Sequence, residues 1–211
     1  MNCLRDVRTV SEFLHWRTKF KDIEGFLSEP EGFALLKLAE YGPGLGHIVE
    51  IGSFLGLSTC WLAAGSMQAG REVIYTVDHH KGSPEHQAGG QFESIEIVET
   101  GTTLNRFREN IRSAGVEWFI RNMTGESVDI ATKFWTGSIR LLFIDGDHSY
   151  EASKADFEAW FPFVVNDGVI CFHDVDAWPG VTQFYKELMT YGVWKQLYGV
   201  DSLRVVSRVV R

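Results

Sequence analysis

The sequence has no apolar run approaching the ~20 residues that a membrane-spanning helix needs. Its opening residues, MNCLRDVRTVSEF, lack the apolar core of a signal peptide, so a cytoplasmic protein is expected. Cysteine is scarce. Cys3, Cys60 and Cys171 lie far apart with no C-x-x-C pair, which argues against a disulfide framework and a structural zinc site. Cys60 and Cys171 sit in apolar patterns and read as small core residues. A basic excess is also missing: 20 Lys and Arg stand against 28 Asp and Glu, for a net charge of −8. Broad nucleic-acid or anionic-membrane binding wants a basic face and is not expected here. There is no internal repeat and no low-complexity tract, and 211 residues suffice for one domain with a sizeable core.

What the chain does have is alternation. Residues 10–41 read as helical, with Pro30 in the first turn of a helix that Ser28 or Glu29 starts. Phe33, Leu35, Leu36, Leu38 and Ala39 give that helix a buried face. Strand patterns at 47–51, 72–77, 116–120, 139–147 and 169–175 are separated by helical patterns that open near 57 and cover 103–114, 127–135 and 151–161. Asn166-Asp167-Gly168 reads as a turn into the fifth strand. After a helix at 181–191, two last strands at 194–198 and 203–209 flank Gly199-Val200-Asp201.

This order predicts an α/β fold: a Rossmann-like, doubly wound sheet, mostly parallel, with one antiparallel strand near the C-terminus. Residues 1–211 read as a single domain, with N-terminal helices in 1–44 and a long polar loop over 79–105 expected to serve as a lid or substrate loop. Trp118, Trp135 and Trp160 read as core, and Trp178, beside Pro179, as a pocket residue.

GHIVEIGSFLGLSTCWLAA, residues 46–64, reads as a buried strand, a glycine turn and a helix start. Gly52 and Gly56 allow positive φ and close approach of backbone to a ligand. The helix that follows points free N–H groups into the crevice. The spacing differs from the G-x-G-x-x-G of a dinucleotide site. Glu50, entering the turn, repels phosphate but suits a cationic or amino-bearing ligand such as S-adenosylmethionine. Asp78 ends the second strand, where an acid can accept the ribose hydroxyls of any adenosine ligand.

The pattern E-x-G-x-x-x-G resembles motif I of class I S-adenosylmethionine-dependent methyltransferases. FIDGDHSYEASKADFEAWFPFVVNDGVICFHDV, together with IEGFLSEPEGFALLKLAE ahead of motif I, resembles a bacterial group of that family. The group is related to catechol O-methyltransferases and to cephalosporin hydroxylase-like, antibiotic-tailoring enzymes. The resemblance covers most of the chain and weakens over 79–105. It implies cofactor contacts from Glu50, Gly52, Ser53, Gly56, Ser58 and Asp78, with Gly125 and Ser127 bordering the adenine. Ser127 reads equally as a helix N-cap.

Two strands end in ionisable clusters: Asp145, Asp147, His148 and Tyr150 after the fourth, His173, Asp174 and Asp176 after the fifth. In an open α/β sheet both face the crevice that holds Gly52 and Asp78. In the catechol-type relatives an acid after the fourth strand and an adjacent pair after the fifth bind a divalent metal, magnesium or manganese. By position these are Asp145, His173 and Asp174. Methyl transfer to a hydroxyl is an in-line displacement, and a metal both holds the oxygen and lowers its pKa. His173 supplies nitrogen where that pattern has an acid, which disfavours magnesium and shifts the expected metal toward manganese, iron or zinc. The alternative is a histidine base, His148 or His173, oriented by Asp145 or Asp174. Asp145, His148 and His173 are therefore the catalytic candidates. His79, His80 and His86 form a further set, read more simply as substrate contacts or solvated residues.

The resemblance implies O-methylation of a small-molecule acceptor, with no nucleic-acid or membrane partner and N-terminal helices able to cover a homodimer partner. Three rivals stay open: a metal-dependent hydroxylase or hydrolase on the same fold, an NAD-dependent oxidoreductase, and a non-catalytic cofactor-binding module.

Overall fold

The structure is a computed structural model and describes residues 7–209; Cys3 lies outside them. Seven strands, β1 (His47–Ile51), β2 (Ile74–Asp78), β3 (Ile120–Thr124), β4 (Ile139–Ile144), β5 (Val164–Phe172), β6 (Trp194–Val200) and β7 (Leu203–Arg208), form one sheet. Their order is β3-β2-β1-β4-β5-β7-β6. β1 to β5 pair in parallel, and β7 runs antiparallel to both its neighbours. The predicted single antiparallel strand is thus β7.

Because side chains alternate across a strand, each central strand feeds two cores. Ile48, Leu141, Phe143, Val169 and Cys171 pack with α1 (Val7–Phe20), α2 (Glu29–Tyr41), α3 (Leu57–Ala69) and α5 (Leu104–Ser113). Val49, Ile51, Leu142, Ile144, Ile170 and Phe172 pack on the other face with α6 (Ser127–Lys133), α7 (Tyr150–Trp160) and α8 (Pro179–Thr190). Cys60 and Cys171 are buried, as expected, and burial pushes both thiols up.

The region expected to be helical over 10–41 is two helices. Ser28 caps α2 in a capping box: its hydroxyl accepts from the Glu31 N–H while Glu31 accepts from the Ser28 N–H. At the other end of α2, fully buried Arg140 of β4 donates to the carbonyls of Leu38 and Ala39, and its Nε meets Glu72. A side chain inside the sheet thereby satisfies carbonyls that the last helical turn leaves free.

Three local expectations are corrected. The third strand starts at Ile120 rather than 116, because Glu117–Phe119 form a 3-10 turn, and Trp118 is consequently 79% exposed instead of core. Asn166-Asp167-Gly168 is an irregularity inside β5, where the register against β4 jumps from Val164 to Val169. The closing turn is Asp201-Ser202, since Gly199 and Val200 still pair with β7. The long loop carries a 3-10 turn (Pro84–His86) and α4 (Ile95–Thr100), and buried His80 joins it to Thr103 at 2.9 Å.

Candidate active site

A cavity of about 820 Å³ opens beyond the carboxyl ends of β1, β2, β4 and β5, the usual place for a ligand in such a sheet. One end is built by the turn between β1 and α3. Gly52 has φ +81°, and a Cβ there would lie 1.9 Å from the Asp145 carbonyl. The glycine is therefore required by the approach of two strand ends, whatever ligand the turn meets. Asp78 pins the turn: its Oδ2 accepts from the N–H groups of Ser53 and Phe54 at 2.8 and 2.9 Å. Its Oδ1 accepts from the His80 N–H at 2.6 Å. Phe54 is held at φ +44°, a conformation few non-glycine residues adopt.

Ser53 and Ser58 also line the cavity, and the buried Ser53 Oγ has no hydrogen-bond partner. Glu50 and Gly56 are not in the wall. Glu50 is fully buried behind it and accepts from the Thr59 hydroxyl. Burial pushes its carboxyl up to about 8, against the pull of the Ser58 and Thr59 hydroxyls. Gly125 and Ser127 flank the cavity after β3. The N-cap of α6 is Glu126, not Ser127, whose hydroxyl instead accepts from the Trp160 indole at 2.8 Å.

The other end is a charge cluster. His173 is 3% exposed, with Nε2 3.2 Å from Glu31 and Nδ1 3.0 Å from Asp145 and 3.3 Å from Asp174. Burial alone would depress the ring, but the carboxylates of Asp145, Asp174 and Glu31 outweigh it and raise its pKa far above the usual imidazole range. The three carboxylates favour the charged form of His173, in which both ring nitrogens carry protons. Its Nδ1 faces both flanking carboxylates, which hold its charge between them.

His148 lies 3.0 Å from Asp174 through Nε2 and 2.7 Å from Glu85 through Nδ1, and its ring stacks on Trp178 at 4.4 Å. Burial pulls its pKa down, but Asp174, Asp145 and Glu85 raise it overall. Asp145, His148 and Asp174 are the three residues whose ligand atoms lie within 4.8 Å of one another, the one such cluster among the described residues. This cluster includes His148 and does not include His173. His79, His80 and His86 form no such cluster: His80 turns to Thr103 and His86 to Ser83.

Three acids of this site escape the sequence patterns. Glu31 accepts from the Ser202 N–H and hydroxyl and the Leu203 N–H at 2.8–3.0 Å, besides meeting His173. Despite the upward push of burial, these partners hold its carboxyl near 2. Glu85 comes from the long loop. Asp156, buried on α7 and lining the cavity, is raised to about 6 by burial. Only the capping-box spacing of Ser28 and Glu31 was a signal in the sequence, and it speaks of a helix end.

Residues 49–175 match a methyltransferase domain family. The chain belongs to that family. It is 32% identical over 181 residues to the uncharacterized protein y4gI of Sinorhizobium fredii (strain NBRC 101917 / NGR234), a match covering 77% of this chain and 18% of that protein. The chain therefore spans under a fifth of the length of that curated relative. Among solved structures, it resembles the O-methyltransferase TomG from Streptomyces achromogenes, determined with S-adenosylmethionine, at 17% identity and a TM-score of 0.59, over 98% of this chain and 92% of that one. It also resembles CalS11, a TDP-rhamnose 3'-O-methyltransferase, at 16% identity and a TM-score of 0.57, over 96% and 95% of the two chains. At such identities these likenesses concern the fold.

Proposed function

We propose that the protein is an S-adenosylmethionine-dependent O-methyltransferase acting on a small-molecule hydroxyl. The observation that carries this reading is a single cavity joining Gly52, Ser53 and Asp78 at one end to Asp145, His148 and Asp174 at the other. Bound S-adenosylmethionine would supply an electrophilic methyl: a C–O bond forms as the C–S bond breaks, the electron pair stays on sulfur, and the acceptor loses its hydroxyl proton. The residues fit such a cofactor. Ser53 Oγ is a buried polar atom without a partner, and the Asp78 carboxylate, with about four acceptor positions, receives three N–H groups and keeps capacity for a hydroxyl. Family membership and the cofactor in TomG support the same assignment.

At the reacting end, His148 is the base when neutral, oriented by Asp174 and Glu85. Its raised pKa means that it carries a proton at low pH and becomes competent as pH rises through that value. A second reading rests on the three-residue cluster: Asp145, His148 and Asp174 would hold a divalent cation such as manganese or magnesium, which would bind the acceptor oxygen and ease loss of its proton. Two oxygens and an imidazole favour manganese of the two. In either case His173 is a positioning residue, its charge holding Asp145 and Asp174 at one point.

Calorimetric titration with S-adenosylhomocysteine and separately with NADH, each with and without manganese, tests the proposal. Binding of S-adenosylhomocysteine but not NADH is expected; NADH alone would overturn it. Manganese binding that Asp174→Asn abolishes would favour the metal reading. Product mass then separates a gained methyl from the gained oxygen of a hydroxylase.

A further inference from the structure

The wall of the cavity contains no lysine or arginine among the described residues. It does contain Glu24, Asp145, Asp147 and Asp174, apart from the acids at the glycine-turn end. Glu31 and Glu85 stand directly behind the two histidines. Even with His148 and His173 both charged, acids outnumber cations here, and a divalent ion in the three-residue cluster would not reverse the excess. A phosphate or carboxylate on the acceptor would enter a wall of its own sign, whose two raised histidines already face carboxylates.

The same wall is rich in rings. Phe26, Phe54, His86, Phe92 and Trp178 all line the cavity. Phe54 and His86 stack at 4.8 Å, Phe26 meets Phe92 edge-on at 5.1 Å, and Phe92 meets Trp178 at 6.1 Å. Phe26 keeps 54% of its surface exposed although it is part of this set. Flat ring faces favour a flat guest, and their negative quadrupoles favour a cation over an anion.

We infer that the acceptor is a planar aromatic hydroxyl compound that carries no phosphate or carboxylate, and that an amine on it strengthens binding. Nucleotide sugars and coenzyme A thioesters are excluded as acceptors by this reading, which rests on the methyltransferase proposal above.

The test uses the full chain loaded with S-adenosylhomocysteine and follows tryptophan fluorescence while tyramine, ethylphenol or hydroxyphenylacetate is added. These probes share a phenol and differ in charge. Thymidine diphosphate is the phosphate probe. Tyramine should bind at least about tenfold more tightly than hydroxyphenylacetate, with ethylphenol between them and thymidine diphosphate unbound. Glu24→Lys should shrink that ratio while leaving S-adenosylhomocysteine binding unchanged. Hydroxyphenylacetate or thymidine diphosphate binding as well as tyramine would overturn the inference, as would failure of all three phenols to bind. If S-adenosylhomocysteine itself does not bind, the methyltransferase proposal fails. The ranking on the unloaded protein then still decides the charge preference.

Discussion

At one end of the cavity the wall is backbone, folded over Gly52 and pinned by the Asp78 carboxylate. At the other end it is side chains, His148 and His173 set among Glu31, Glu85, Asp145 and Asp174. The first end draws on one strand-turn-helix unit and its neighbour β2. The second gathers residues from α2, the long loop and the ends of β4 and β5, held by electrostatic attraction in a poorly hydrated place. The contrast teaches where each kind of change will register. Backbone geometry tolerates little variation but titrates weakly, whereas a charge cluster titrates and fails when one partner is removed.

Glu31→Ala should produce the largest effect. It leaves the His173 imidazolium short of a partner and strands the Ser202 and Leu203 N–H groups. Breaking a buried pair of this kind costs about 3–5 kcal/mol, readable by urea denaturation. The pH dependence has a definite sign. The Glu31 carboxyl lies near 2 in the folded state against 4.5 as its ordinary value. Its stabilisation is therefore complete above the ordinary value and is lost as pH falls through the lower one. A loss under about 1 kcal/mol would mean that the charged end is not held together by charge.

Asp145→Asn comes next and tests whether the two ends are separable. Methyl transfer to an acceptor found by screening should fall about 10²–10³-fold. Affinity for S-adenosylhomocysteine should stay within about twofold, since the Asp145 side chain faces His173 while only its carbonyl approaches Gly52. Equal losses in both would merge the ends into one cooperative unit.

The same contrast explains what the sequence discloses. The parallel order of strands, β7 as the reversed strand and the turn at Gly52 are local or periodic features: an apolar run, a glycine, an acid at a strand end. They are legible because the backbone rules that make them act within a few residues. The reacting end is legible only in part. Asp145, His148, His173 and Asp174 announce themselves as strand-end clusters, but which histidine is free to act depends on Glu31, 142 residues away from His173. Glu31 looks like a capping residue, and it is one; nothing local says that its other oxygen serves Ser202 and Leu203. Trp118 misleads for a similar reason, because a 3-10 turn displaces the strand that its neighbours suggest.

Asp78→Asn probes the backbone end. An amide cannot accept on both sides, so one of the N–H groups of Ser53, Phe54 or His80 faces an NH₂ group. S-adenosylhomocysteine affinity should fall about tenfold and stability by roughly 1.5–3 kcal/mol, the range for hydrogen bonds to a charged group. Both readouts should move, because the same carboxylate shapes the turn and is proposed to receive the ribose. Lost affinity with unchanged stability would assign Asp78 to the ligand alone.

The smallest effect belongs to Asp156→Asn, which sharpens the comparison because it places a titrating group at the end described as backbone. The Trp160 indole donates to Ser127 Oγ, so the single Ser127 proton is free for another acceptor, and Asp156 receives it. Asparagine can still accept that proton through its carbonyl oxygen, so S-adenosylhomocysteine binding at neutral pH should weaken by no more than about threefold. Stability should respond more clearly. Burial raises the Asp156 carboxyl to about 6 from 3.8, with Asp147 and Glu126 adding to the push. The folded state therefore holds this proton more tightly than the unfolded chain does. The stability it contributes is full below the ordinary value and is lost as pH rises through the raised one. Urea midpoints across that window should decline in the wild type and stay flatter in the variant. Identical slopes would show that Asp156 ionises freely.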